Sequence, residues 1–364
     1  MFTIATLLTI QTALGPGTQA PPSIRAPGTS TPMPYGVLYV DVSASGAADG
    51  SSWTDAFRSL QNALAKARPG DQVWVAEGIY RPDRGRHQTP GDRDATFRLP
   101  NGVTILGGFA GDERNARQRA GLFERTLLDG DLLDDDLPGF GNYQDNSYRI
   151  VTGIELDANT VLDGFTIRGA FGTKDFQGGF PDPDGEWNGG AGVLIVGGSL
   201  RIARCTIRRC WSSYVLGEDE EATTTPVGGG LASVDAELTL IDCRFVQNRA
   251  EAAYDTDFGI HGTSRGGGLF QSGGNLLLVG CSFYGNAATA DTFGAGSDGR
   301  GGGLFAKAGS LELVQCTFSG NSALGGDASS GQGGDGLGGA VYVEGTVLAV
   351  HSCALAGNSA IGGG

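Results

Sequence analysis

Along residues 189–364 the apolar residues do not follow a helical stripe; they recur in a repeating unit. Each copy opens on a glycine cluster and one apolar residue: Leu231, Leu269, Leu304 and Val341 follow Gly-Gly-Gly or Gly-Gly-Ala. Each closes on Cys-x-apolar-x-x-Asn, ending at Asn248, Asn286, Asn321 and Asn358. A degenerate first copy leads from Val193 to Cys205 and Cys210, with Cys210 standing where the others have Asn. The cysteines at 205, 243, 281, 316 and 353 are spaced 38, 38, 35 and 37 residues apart, a period that marks a repeat architecture. Leu200, Leu238, Leu276, Leu311 and Leu348 form one column. Ile202, Leu240, Leu278, Leu313 and Val350 form a second, two places on. Period 2 puts both columns on one face of a strand, and equal columns in successive copies stack like on like. The expected fold is all-β, a right-handed parallel β-helix. Loops 211–227, 249–265, 287–300 and 322–337 differ between copies. They leave from one corner and make one continuous face.

Upstream, strands are expected at Val37–Val40, Gln72–Ala76, twice within 96–109, and within 148–168, where Phe165 takes the Cys position. Ser51–Ala67 is the one amphipathic helix, with Phe57, Leu60, Leu64 and Ala67 on one face and Pro69-Gly70 as its stop. Such a helix suits the first coil of a solenoid, whose apolar cross-section and open strand edges need a cover. The polar stretch 111–145 is expected to be an irregular acidic insertion. Residues 1–20, apolar and then small, read as a secretory signal that lacks a positive start. Residues 21–36 read as a Pro/Ser/Thr-rich linker, 37–95 as a capping segment, and 189–364 as the regular repeats of a β-helix spanning 37–364. The last residues, Gly362-Gly363-Gly364, would open a new copy. The chain is therefore expected to continue, or to associate end to end through an uncapped last coil.

Composition adds two constraints. Glycine supplies 64 of 364 residues without a Gly-X-Y period, which excludes collagen and suits many tight corners. The net charge of −15 excludes gains from phosphate neutralisation, so nucleic acid and anionic membrane surfaces are not expected partners. It also weakly disfavours polyanionic substrates. No segment is long and apolar enough to span a bilayer.

The Gly-Gly-(Gly/Ala)-apolar clusters followed by Phe245-x-x-Asn248, Phe283-x-x-Asn286 and Phe318-x-x-Asn321 resemble the repeat of the chlamydial polymorphic outer-membrane proteins and related secreted bacterial β-helices. The block from Tyr39 to Tyr80 is similar to the entry segment of such exported proteins. The resemblance implies a pectate-lyase-like fold, secretion or a cell-surface location, and a scaffold for adhesion; fold alone does not imply activity. The polymorphic proteins carry a C-terminal membrane barrel, and nothing after residue 189 resembles one.

Candidate chemistry is sparse. The cysteines read as a buried column and the asparagines as a corner ladder. Phe270, Phe305 and Tyr342 form an outward aromatic column, either a sugar-binding platform or a patch covered by the loops. Asp129, Asp131 and Asp134 in one stretch, and Asp182, Asp184 and Glu186 in another, are candidates for Ca²⁺, against solvated acidic loops. No cofactor is otherwise required. Within the repeats no acid pair recurs and no cation stands beside an acid cluster in one column, as a polysaccharide lyase or hydrolase would need. The expectation is an exported or cell-surface scaffold that presents its loop face to an extracellular glycan or surface protein. The alternative is a pectate-lyase-like polysaccharide-degrading enzyme that uses Ca²⁺.

Overall fold

The structure is a computed structural model that describes residues 36–119, 121, 123–173, 187–213, 225–252, 262–290, 297–327 and 332–364. Every pairing between its named strands is parallel, and each coil between the first and the last contributes to each of three faces. The first face runs from Val37–Val40 and Gln72–Ala76 through Glu237–Ile241 to Val347–His351. The second has eight strands, from Gly78–Tyr80 through Thr126–Asp129, Thr166–Arg168, Thr206–Arg208 and Arg244–Val246 to Ala354–Ala356. The third begins at Phe97–Arg98 and Val151–Leu156 and ends at Val341–Glu344. Parallel neighbours joined by crossovers in one direction make this a right-handed parallel β-helix.

From Phe171 onward the coil opens between the second and third faces. Short strands leave the corner in a six-stranded sheet, Phe171–Gly172 to Ser359–Ile361, and others return in a five-stranded sheet, Trp187–Gly189 to Gly336–Leu337. The variable loops expected at one corner thus have paired stems. Their tips lie outside the described residues, as do the expected signal and linker.

Inside, like stacks on like. Leu200, Leu238, Leu276 and Leu311 are buried, as are their partners at 202, 240, 278 and 313. The rings of Phe245, Phe283 and Phe318 stack at 4.6 Å, 3° and 8° from parallel. All six cysteines are free; Cys243, Cys281 and Cys316 each donate a weak S–H bond to a carbonyl one coil below, at 3.5–3.6 Å. Burial pushes the Cys205 thiol up to about 12, so it stays a protonated apolar filler.

The Asn column is a directional ladder. The Asn248 backbone and side-chain N–H groups donate to Asn286 Oδ1 at 3.0 Å, and Asn286 repeats both bonds to Asn321, and Asn321 to Asn358. Each Nδ2 also donates to a main-chain carbonyl of the coil below, Ile207, Phe245, Phe283 or Phe318. These amides are the hydrogen-bonding partners of a corner that water cannot reach.

Two expectations need correction. The helix spans only Leu60–Lys66, not 51–67. Residues before it are held in turns by Asp55 and Ser52 side chains, and Phe57 pairs with the first strand through Tyr39 and Asp41. Those bonds use the groups that a longer helix would need. The stretch 111–145 is not wholly irregular, because Thr126–Asp129 is a full member of the second face. Its polar flanks masked a four-residue strand. In the last coil Leu348 and Val350 are 43% and 45% exposed, unlike their stacked counterparts.

Candidate functional site

In the coil from Thr126 to Ile150 the corner is filled by an acidic knot instead of an arm. The register explains its position. Asp129 pairs with Arg168, Arg168 with Arg208, and Arg208 with Val246. Two places on, the same column reads Asp131, Ala170, Cys210 and Asn248. Asp131 therefore occupies the rung position that Asn takes later. Its carboxylate accepts backbone N–H bonds from Asp134, Asp135 and Asp136 at 2.6, 3.2 and 3.2 Å. It satisfies a tight turn in the manner of an Asx corner.

Around it the acids divide. Asp129 is buried and takes two hydrogen bonds from Arg168, at 2.7 and 3.1 Å. Burial pushes its carboxyl up, and Arg168 works against that. Asp134 pairs with Arg81 at 2.7 Å. Asp136 is half-buried and held by the Asn146 amide at 3.0 and 3.2 Å. Burial first, then the charges of Asp131, Asp129 and Asp145, raise its carboxyl to about 7. Asp129 and Asp136 converge over Gly169, where a Cβ would lie 3.2 Å from an oxygen of each. The φ of Gly169 is +75°, so only glycine leaves that space and adopts that backbone.

Of the Ca²⁺ candidates, Asp129 and Asp134 are engaged by arginines and do not converge with Asp131. The acids brought together are Asp131, Asp135 and Asp145, with ligand atoms within 4.8 Å of one another. Asp182, Asp184 and Glu186 lie outside the described residues. Of the two readings of the aromatic column, burial fits the covered one and not the sugar-binding platform. Phe270 and Phe305 are buried and stacked at 5.4 Å, with half-buried Tyr342 stacked next. Arg265 and Arg300 of the returning stems lie over the Phe305 and Tyr342 rings at 5.6 and 5.9 Å. This column is the floor of a small second core with Leu194, Val196, Val227, Ala232 and Val234.

An open cavity lies elsewhere, in the concave corner between the second face and the outgoing stems. It encloses about 490 Å³ and crosses successive rungs, lined by Arg209, Gln247, Arg249, Thr289 and Leu324 among others. The acidic knot closes one end with Leu137, Phe140 and Tyr143. Phe140 has φ +66°, a left-handed conformation that a bulky side chain rarely adopts. Its ring is kept there by Tyr143 at 5.2 Å and Trp211 at 5.6 Å, and Trp211 packs on Phe171 at 4.6 Å. Arg249 lies over Trp211 at 5.8 Å and is paired to Glu251 at 2.5 Å. No acid of the knot is among the residues lining this groove.

Sequence reasoning missed this corner. Trp211 and Arg249 each follow the rung position directly, so a column reading extended one place past Cys210 and Asn248 would have paired them. The Asp129–Arg168 pair puts a cation beside an acid in one column, in coils that precede the repeats for which the sequence offered none.

The fold and its corner groove define a parallel β-helix with a solvent-open cleft along its axis. No protein-family model matches the chain, and no curated protein matches it. Among solved structures it is similar to a polygalacturonase from Erwinia carotovora ssp. carotovora, at 12% identity over 88% of this chain and 78% of that one, TM-score 0.31. It is similar also to a pectate lyase, at 13% identity over 85% and 78%, TM-score 0.26. A third is a pectin methylesterase mutant in complex with a hexasaccharide, at 12% identity over 76% and 78%, TM-score 0.25. At these identities the likeness concerns the fold alone. Among the described residues no helix is long and apolar enough to cross a membrane.

Proposed function

We propose that the protein is an exported β-helix scaffold that binds a glycan chain in the corner groove. The observation that carries this reading is Phe140, held with φ +66° at the mouth of an elongated cleft. Unfavourable backbone at a bulky residue is retained where the surroundings and a function require it. A half-buried aromatic ring offers an apolar face to a sugar, and Arg209, Gln247 and Arg249 offer donors to its hydroxyl or acidic groups. A polymer lying along the axis would meet the same corner once per rung. Polysaccharide-acting proteins occur among the solved structures of similar fold, which is compatible with a glycan ligand but does not single one out.

The test is calorimetry of the purified protein against neutral and uronate-containing oligosaccharides. Phe140→Ala should weaken binding about tenfold, the loss of one well-packed aromatic contact. Equal binding by the variant, or no binding to any member of the panel, sinks the reading.

A second reading rests on Asp136, whose carboxyl titrates near neutral pH beside Asp129. An acid of that kind suits general acid–base chemistry, and a glycoside hydrolase needs two carboxylates. Asp129 is bound to Arg168 and closed to solvent, which is why binding takes precedence here. New reducing ends or unsaturated products in the same panel, lost in Asp136→Asn, would replace the scaffold by an enzyme.

A further inference from the structure

On the second face, beside the groove but turned away from it, one cation lacks a partner. Thr206–Arg208 stacks in register between Thr166–Arg168 and Arg244–Val246. Arg168 and Arg208 therefore stand on neighbouring rungs, about 4.8 Å apart along the axis. Arg168 is satisfied by Asp129. The Arg208 side chain has no hydrogen-bonding or ionic partner among the described residues, and its Nε is buried without an acceptor. Burial, then the like charges of Arg168 and Arg209, push its guanidinium pKa down, and the charges of Glu124 and Asp129 oppose this.

Arg208 borders a pocket of about 190 Å³, whose other walls are Glu124, Thr166, Thr206, Arg244 and Val246. The acid present is committed elsewhere, since Glu124 pairs with Arg244 at 3.3 Å on the exposed rim. The Thr166 hydroxyl donates to the Phe123 carbonyl at 3.1 Å. What remains lining the space is the Arg208 side chain and the Thr206 hydroxyl beside it. A guanidinium presents its donors as a fork that matches the oxygens of a carboxylate, sulfate or phosphate group.

We infer that this pocket is an oxyanion site, in which Arg208 and Thr206 hold the anionic group and Arg244 flanks its entrance. The inference does not depend on the groove binding a glycan. The corner carries the two on opposite sides, Arg208 on the pocket and Arg209 on the groove, so an anionic substituent of a bound chain and a free inorganic anion are both within its chemistry.

The experiment titrates inorganic sulfate into the protein at constant ionic strength, with chloride as the balancing anion, by calorimetry and thermal melting. Sulfate should raise the melting temperature of the parent above the chloride control, because a ligand of the folded state stabilises it. Arg208→Met should abolish that rise and weaken binding about tenfold or more, the value of a charge-assisted bond. Arg208→Met breaks no native hydrogen bond, so it should fold, which circular dichroism checks. Arg208→Lys, which keeps the charge but loses the fork, should bind at an intermediate level. An equal sulfate response in parent and Arg208→Met, or no response in the parent, overturns the site. Galactose 6-sulfate run in parallel separates the sources: tighter binding than free sulfate assigns the anion to a sugar, and equal binding assigns it to a small ion.

Discussion

Two stretches of one corner solve the same problem differently. At Asn248, Asn286, Asn321 and Asn358 the turn is held by amides, each of which donates and accepts. At Asp131 it is held by a carboxylate, which only accepts. An amide passes its hydrogen bond to the next rung, so the solution propagates and the coils become alike. A carboxylate ends the chain of donors at itself and accumulates charge, and the coil must then recruit Arg81, Arg168 and Asn146 to balance it. Regularity and irregularity here follow from whether the corner residue can donate.

Exchanging the two chemistries tests this, and Asn286→Asp should have the largest effect. The carboxylate cannot donate to the Phe245 carbonyl or to Asn321, and it places a buried charge, so a loss of about 4 kcal/mol is expected near neutral pH. The loss should shrink in acid, where the group is neutral and can donate. Thermal melts at pH 4 and 8 measure it; a melting temperature unchanged at pH 8 would show that the ladder is ornamental. Phe283→Ala, in the ring stack beside the ladder, should cost a comparable 3–5 kcal/mol in denaturant melts, but equally at both pH values.

The reverse exchange, Asp131→Asn, should cost less, about 1–2 kcal/mol. Its Oδ1 still accepts from Asp134 and Asp135, and only the bond from Asp136 is lost. Urea unfolding would reveal a larger cost if Asp131 also held a bound cation. The smallest effect is a gain. The folded pKa of Asp136, about 7, lies above the ordinary carboxylate value of 3.8, so stability falls as pH climbs between the two and levels off above. Asp136→Asn removes that penalty and should raise the melting temperature at pH 8 but not at pH 4. A gain at both would mean that charge is not the cause.

What could be read from the chain follows the same division. The inward Leu columns, the Asn and Phe columns and the common exit of the arms were legible because identical residues recur at fixed offsets. The knot was not. Thr126–Asp129 is too short to show a period, and Asp131 reveals itself as a rung residue only once strands 126–129 and 166–168 are aligned. The groove was illegible for another reason. Phe140 and Trp211 are far apart in sequence and meet only through the return of the coil. The aromatic column at Phe270 was legible as a column; its cover comes from Arg265 and Arg300, which pair in register just before the glycine clusters.

From Gly228, Gly266, Gly301 and Gly338 to the next Asn the step is always 20, while the arms that lead to those glycines from Cys210, Asn248, Asn286 and Asn321 step 18, 18, 15 and 17. The neck of each arm is clamped on one side by the ladder. On the other lies a glycine such as Gly302, where a Cβ would sit 2.1 Å from the Ser322 carbonyl. Length added beyond that clamp cannot reach the rung above it. Insertions and deletions are therefore sorted by geometry: one residue gained in the frame disrupts the pairing of its own coil with its neighbours, whereas several gained in an arm leave that pairing unchanged. The molecule can diversify by lengthening its arms, with no compensating change elsewhere in the chain.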